Sequence, residues 1–297
     1  MIQALRDLAG RLRKGPRRES DAAPGGLARL KVEGAARTDP GRERAANEDS
    51  VGWFEAPDTA ALRTHGRLAL VADGMGGAHG GAIASGLALS IIRERYFAGG
   101  RSAEANLRTA LEGANRAIYQ RARREPELEG MGATCLAVAI LDTEIRAAWV
   151  GDSRLYLVRD GGIYQLTEDH SVVAEMVRAG RLTREEARNH ESRNVITRAL
   201  GTKASEEIGG WPAAFDARPG DRLLLCSDGV HDPLEDQELL CLMAGKGPDQ
   251  AAAALIAGAN ARGGHDNASA VVVDFLDAAP KTPKATRILQ TLRGARS

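Results

Sequence analysis

The amino-acid sequence predicts an α+β fold built in layers, and three observations carry that expectation. Apolar, strand-like runs lie near both ends of the chain and in its middle. Helical patterns come in adjacent pairs between them, without the strand–helix alternation of a βαβ repeat. Several of the strand-like runs end in short loops that carry an Asp, so the layers hold up an acidic surface.

The elements follow in order. Residues 30–36 and 50–54 read as strands on either side of an acidic loop, AANEDSVG. Residues 68–72 form a third apolar run, followed by the glycine-rich turn DGMGG and a helix over 83–96. Leu107, Leu111, Ala114 and Ile118 mark a second helix across 103–124 by their spacing. Residues 134–141, 145–150, 155–159 and 163–166 then read as a four-strand meander, with Asp160-Gly161-Gly162 as a hairpin turn. A second pair of helices, 236–243 and 248–261, precedes a last strand at 269–275. There is no internal repeat and no long low-complexity tract.

Composition narrows the function classes. Of the 297 residues, 43% are hydrophobic but only 4% aromatic, so a sizeable core must come from Ala, Val, Leu and Ile. No apolar run is long enough to span a bilayer and no signal-peptide pattern follows Met1, so a cytoplasmic location is expected. Cys135, Cys226 and Cys241 form no CxxC pair, and the first two sit in apolar runs as buried thiols would. The net charge of zero is unevenly spread, at +4 over residues 1–30, −9 over 31–280 and +5 over 281–297. An acidic body gives no basis for nucleic-acid binding.

Five carboxylates carry the chemistry: Asp49, Asp73 in LALVADGMGG, Asp152 in WVGDSRLYLV, Asp228 in LLLCSDGV and Asp266 in GGHDNASAVVVDF. One Asp-Gly is turn chemistry. Five acids at the ends of apolar runs suit a hard divalent cation that takes oxygen ligands and water. The six histidines are too scattered to suggest a three-histidine zinc site.

In this order the segments resemble the metal-dependent protein serine/threonine phosphatases of type 2C, in the compact bacterial form that opposes eukaryotic-like kinases. The resemblance runs from about 34 to 277 and includes LTEDHSVVAEMVRAGRLTREEARNHESRNVITRALG, similar to that family's flap. It implies a central β-sandwich of two mostly antiparallel sheets flanked by helix pairs, with a flap at about 167–201. The catalytic domain would span 31–278, between a basic N-terminal extension (1–30) and a basic tail (279–297). It also implies a monomer acting on phosphorylated proteins with two tightly bound Mn²⁺ or Mg²⁺ ions and a weaker third.

Residue by residue, Asp73 is similar to the family's bridging carboxylate, and Gly74 would offer its carbonyl oxygen. Asp49 matches the acid of the first motif, with Glu48 acting through a water. Asp228 and Asp266 match the ligands of the second ion, with Asn267 behind them. Asp152 and Asp228 would share the third ion. Arg44, four residues before Glu48, stands where the family keeps a phosphate-binding arginine, whose planar fork suits two phosphate oxygens. His170 and His190 fall in the flap and are expected to order it or touch substrate. The chain departs from the pattern at Met75, where animal relatives place a His, and at Ala78 and Ala82, with His79 displaced by one. A thioether cannot deliver a proton, so the leaving group needs another acid.

Three other readings compete. A catalytically silent phosphoprotein-binding module would lack a metal carboxylate or Arg44, and none is missing. The site could instead serve a small phosphoester or an anti-sigma antagonist. For Asp152 alone, the plain reading is a hairpin acid paired with Arg154. At the N-terminus, Ile2, Leu5, Leu8 and Leu12 fall at helical spacing among arginines, followed by the breaker APGG. Such a segment suits either a membrane-surface anchor or a solvated helix, and membrane contact is not expected of it.

Overall fold

The computed structural model describes residues 30–211 and 213–278. The basic extensions and the N-terminal helix expected at the start of the chain lie outside these residues.

Two antiparallel sheets form the centre. The first has five strands, β1 (Leu30–Asp39), β7 (Arg154–Arg159), β8 (Gly162–Gln165), β11 (Arg222–Cys226) and β12 (Ala268–Asp277), in the order β1-β12-β11-β7-β8. The second contains β2 (Asp49–Glu55), β3 (Arg67–Met75), β5 (Cys135–Leu141), β6 (Glu144–Val150) and β10 (Phe215–Asp216), ordered β10-β6-β5-β3-β2. Two short strands extend it, β4 (Gly132–Ala133) on β3 and β9 (Gly209–Gly210) on β6.

Strand alternation explains why the sheets stack as they do. In β12, Val271, Val273 and Phe275 face the second sheet, while Ala270 and Val272 face the helices. In β5, Leu136, Val138 and Ile140 enter the same inter-sheet core, and Cys135, Ala137 and Ala139 point the other way. Each sheet is therefore apolar on both faces and must be covered on both. Helices α2 (Gly77–Ala98) and α3 (Ala103–Arg124) cover one outer face. Ala84, Ala88, Ile92 and Tyr96, one every four residues, form the buried stripe of α2. In α3, Leu107, Ala110, Leu111, Ala114 and Ile118 do the same, and Ser102 caps its start by accepting from the Ala105 amide. On the other side, α7 (Asp236–Met243) and α8 (Pro248–Ala261) pack Leu239, Met243, Leu255 and Ile256 onto the first sheet. Four layers result, with the apolar volume supplied by small aliphatic residues as the composition requires.

Helix α1 (Thr59–His65) and the single-turn α6 (Asp228–His231) have no counterpart in the sequence reading. The flap carries α4 (Val172–Arg178) and α5 (Arg184–Arg188); a bridge at Ser171–Ile196 closes it on itself and one at Ala133–Leu200 joins it to the domain.

One expectation is corrected. The four strands over 134–166 do not form a single meander. They split into two hairpins, β5–β6 in one sheet and β7–β8 in the other. Gly151 takes a φ of 102° at the crossing, and a Cβ there would lie 2.6 Å from Cβ of Thr134. The tight link Gly151-Asp152-Ser153 thus passes between sheets instead of reversing within one. The β7–β8 turn is as expected, with positive φ at both Asp160 (52°) and Gly161 (77°).

Candidate active site

The acidic residues come from both sheets. Asp49 opens β2 and Asp73 lies near the end of β3, directly opposite each other in the antiparallel register. Asp228 begins α6 just after β11, Asp152 lies in the link between sheets, and Asp266 precedes β12. Strands that pair side by side thus bring together acids that the sequence separates by up to 217 positions, from Asp49 to Asp266.

Their electrostatics follow the same grouping. Burial pushes the Asp49 carboxyl up to about 7, with Asp228 adding repulsion. Burial likewise raises Asp152 to about 7, and Asp228 is the foremost charge opposing it. Asp73 is raised well above the carboxylate range by burial and by Asp228, Asp49 and Asp152 together. Asp228 is raised by burial, with Asp232 and Asp266 adding to it and His231 working against it. Acids that disfavour one another's ionisation in this way need a cation to be charged together. The buried Oδ1 atoms of Asp49 and Asp228 have no hydrogen-bond partner. A buried carboxylate oxygen without a hydrogen-bond partner in a polar cluster fits a position that faces a cation. Among the described residues, no three His, Cys, Asp or Glu side chains are gathered closely enough to form a finished coordination sphere. The residues fit a divalent ion by charge and donor type.

Hydroxyl and amide side chains fix the frame beneath the acids. The Ser227 hydroxyl donates to Asp49 Oδ2 at 2.9 Å and accepts from the Ser269 amide at 3.1 Å. The Thr134 hydroxyl accepts from the Asp73 amide at 3.1 Å, and the Thr134 amide donates to the Asp73 carbonyl at 2.8 Å. Thr134 also meets the Ser153 hydroxyl at 3.0 Å, which ties the Asp73 strand to the Asp152 link. Asn267 Oδ1 accepts from the Glu48 amide at 2.8 Å, while its Nδ2 donates to the carbonyls of Pro40 and Ala46. Gly74 is required by space, since a Cβ there would lie 2.0 Å from the Gly81 carbonyl oxygen and 2.5 Å from that of Glu48.

Arg44 is half-exposed at the edge of the cluster and donates to Asp266 Oδ2 at 2.8 Å. That hydrogen bond and the Asp266 charge, with smaller help from Glu48 and Asp228, hold its guanidinium above its ordinary range. The expected arginine is therefore at the site, and in this state it acts as counter-ion to Asp266. Arg154 is not the partner of Asp152. It forms a two-pronged pair with Asp169, with Nη2 2.7 Å from Oδ2, and so departs from the plain reading of that loop.

His170 is buried beside the Asp152 link, and His190 accepts from the Ser192 amide at 3.1 Å within the flap. His79 is exposed on α2. Sequence reasoning gave no role to Thr134, Ser227, Ser269 or His231. His231 is buried, with Nε2 3.2 Å from the Asp152 carbonyl and Nδ1 3.2 Å from Asp232. Ser227 could have been noticed as the residue directly before Asp228, but Thr134 lies far in sequence from all five site aspartates and carries no local signal.

The sequence profile of the family described as Protein phosphatase 2C matches residues 42–277. The serine/threonine phosphatase Stp of Listeria welshimeri is 35% identical over 244 residues, covering 80% of this chain and 94% of that one. The crystal structure of the Mycobacterium tuberculosis serine/threonine phosphatase PstP/Ppp superposes with a TM-score of 0.73 at 37% identity, covering 83% of this chain and 99% of that one. A second structure, the catalytic domain of PstP in complex with two manganese ions, gives 0.71 at 37% identity, covering 84% and 100%. Four layers around a buried acidic centre, matched along nearly the whole described chain, define the class as a phosphatase, an enzyme of phosphoester hydrolysis. Within that class, the chain belongs to the protein phosphatase 2C family.

Proposed function

We propose that this phosphatase hydrolyses phosphoserine and phosphothreonine in proteins phosphorylated by a eukaryotic-like kinase, working as a cytoplasmic monomer. The observation that carries the metal-dependent part is the acidic centre. Burial lifts the pKa of Asp49, Asp73, Asp152 and Asp228, the Asp228 charge opposes ionisation of the other three, and Asp49 and Asp228 each keep a buried oxygen without a partner. No helix among the described residues is long and apolar enough to cross a membrane.

Asp73 and Asp49, opposed on adjacent strands, would hold the first Mn²⁺ or Mg²⁺ ion with the Gly74 carbonyl and, through water, Glu48. Asp73, Asp228 and Asp266 would hold the second, and Asp152 with Asp228 a weaker third. When bound, such ions lower the pKa of a shared water and neutralise phosphate charge. The protein's own groups do the rest. Arg44 pairs with Asp266 through one arm while its side chain is half-exposed, so it can present a planar fork to phosphate oxygens at the rim. Ser227, Thr134 and Asn267 hold the carboxylates and their backbone in place, which limits reorganisation during the reaction. Met75 supplies no proton, so another group would have to protonate the serine or threonine oxygen, and we place that source on the Asp152 side of the site.

A phosphoproteome from cells lacking the protein, set against cells overproducing Asp228→Asn, tests the substrate class. Phosphoserine and phosphothreonine sites should rise in both. A change confined to small phosphoesters would overturn the reading.

A further inference from the structure

The Gly151-Asp152 link poses a backbone problem that the flap solves. The ladder between β5 and β6 ends at Cys135 opposite Val150, so the next amide, Gly151, has no partner in the sheet. Gly151 is buried, and a buried amide left unpaired costs as much as a lost hydrogen bond. The Gly151 amide instead donates to Nδ1 of His170 at 3.1 Å, and the His170 amide donates to the Gly151 carbonyl at 3.0 Å. The two residues form a closed, reciprocal pair. Since Nδ1 accepts, His170 carries its proton on Nε2. The ring lies nearly parallel to that of Trp149, at 12°, with centroids 6.3 Å apart. On the other side, Nε2 of His231 reaches the Asp152 carbonyl at 3.2 Å. The peptide bearing Asp152 is thus bracketed by two imidazoles, one from the flap and one from α6.

We propose that His170 is a positioning residue for Asp152, its Nδ1 serving as the acceptor that fixes the Gly151 amide and couples the flap to the acidic centre. The argument rests on the reading of Asp152 as a working carboxylate. The His170 ring is turned towards Gly151 and Trp149, and the proposed role runs through those contacts. The flap base has other anchors, which makes His170 separable from them. The Trp149 indole donates to the Glu168 carbonyl at 2.9 Å, and the Trp211 indole to that of Leu166 at 3.2 Å. Arg154 holds Asp169, and Gln165 donates to the same carboxylate at 2.9 Å. Losing the His170 acceptor should therefore loosen the Asp152 link while the flap stays attached.

Geometry supplies a discriminating set of variants. Asn places an oxygen where Nδ1 of His lies, whereas Gln places its polar atoms where Nε2 lies. His170→Asn should retain the acceptor for Gly151, and His170→Gln and His170→Ala should not. The primary measurement is hydrogen exchange of the Gly151 amide in the full-length protein, with and without Mn²⁺. Exchange should quicken by about tenfold in the Ala and Gln variants, as expected for one lost hydrogen bond, and stay within about threefold of wild type in the Asn variant. The second measurement is the ratio of kcat/KM on a phosphoserine peptide to that on an aryl phosphate, with Asp152→Asn run alongside. That ratio should fall in Asp152→Asn, His170→Ala and His170→Gln, and recover in His170→Asn. If the Ala variant leaves Gly151 exchange unchanged, or Asn is as impaired as Ala, the acceptor role is wrong and the ring acts only by packing on Trp149. If exchange quickens but the ratio holds while Asp152→Asn lowers it, the hold exists without positioning Asp152, and the proposal is overturned. If Asp152→Asn itself spares the ratio, the reading of Asp152 fails first, and the exchange series still decides whether His170 fixes the link.

Discussion

The Asp49–Asp73 pair and the Asp152 link place carboxylates in the same centre by different means. Asp49 and Asp73 sit opposite each other in a regular ladder, and their positions follow from strand register. Register is fixed by which buried face each residue packs into, because a slip of one residue would exchange the set facing the helices (Leu68, Leu70, Ala72) with the set facing the other sheet (Ala69, Val71). Asp152 has no such support. It lies where the chain leaves one sheet for the other, and side chains from the flap, α6 and Thr134 hold it there. The first region is rigid because the sheet is rigid. The second is only as rigid as a few hydrogen bonds, so it can respond to the flap.

The largest effect should come from the ladder pair. Asp73→Asn removes the carboxylate opposed by three others and should lower kcat by on the order of 1,000-fold or more, with the fold intact by circular dichroism. The metal-free variant should melt above metal-free wild type, since a repelling charge is gone. A lower melting temperature would mean that Asp73 contributes packing or hydrogen bonds that outweigh the repulsion. Asp152→Asn should cost about 100-fold on phosphoserine and much less on an aryl phosphate, whose leaving group needs little protonation. Equal losses on both would erase the functional difference between the two regions.

Arg44→Ala should raise KM for a phosphopeptide by about tenfold and weaken inhibition by inorganic phosphate, with Mn²⁺ affinity nearly unchanged. Unaltered phosphate inhibition would return Arg44 to a counter-ion of Asp266 alone.

The smallest effect is on stability against pH. Asp49 and Asp152 are raised from an ordinary 3.8 to about 7, so the folded, metal-free protein binds their protons more tightly than the unfolded chain does. Such groups leave stability intact below about 4 and erode it as pH rises to about 7. In chelator, the melting temperature contributed by these groups should fall across that window, and saturating Mn²⁺ should flatten the fall. A metal-free curve that rises over the same window more steeply in wild type than in Asp73→Asn would contradict the account.

The same contrast explains what was legible in the sequence. The helices at 103–124, 236–243 and 248–261 coincide with α3, α7 and α8, because apolar residues at helical spacing are a local signal. The acids were legible because each lies in a short loop just before or after an apolar run. The β6–β7 crossing was not, since 145–150 and 155–159 are spaced as a hairpin would be. What moves β7 to the other sheet is its pairing with β11, more than 60 residues further on. The frame residues stayed hidden for a related reason. Thr134 and Ser269 act through backbone contacts with distant segments, and nothing in their own neighbourhood marks them. Arg154 illustrates the limit from the other side, because the acid nearest in sequence, Asp152, is not the one it pairs with.

The central claim is that these aspartates form one cation-binding centre. Calorimetric titration of Mn²⁺ into chelator-stripped protein tests it most directly, with wild type compared against Asp73→Asn and Asp152→Asn. Wild type should show two tight sites and one weaker one. Asp73→Asn should lose tight binding, and Asp152→Asn should lose only the weak site. Wild-type binding unchanged in stoichiometry and affinity by Asp73→Asn would contradict the account.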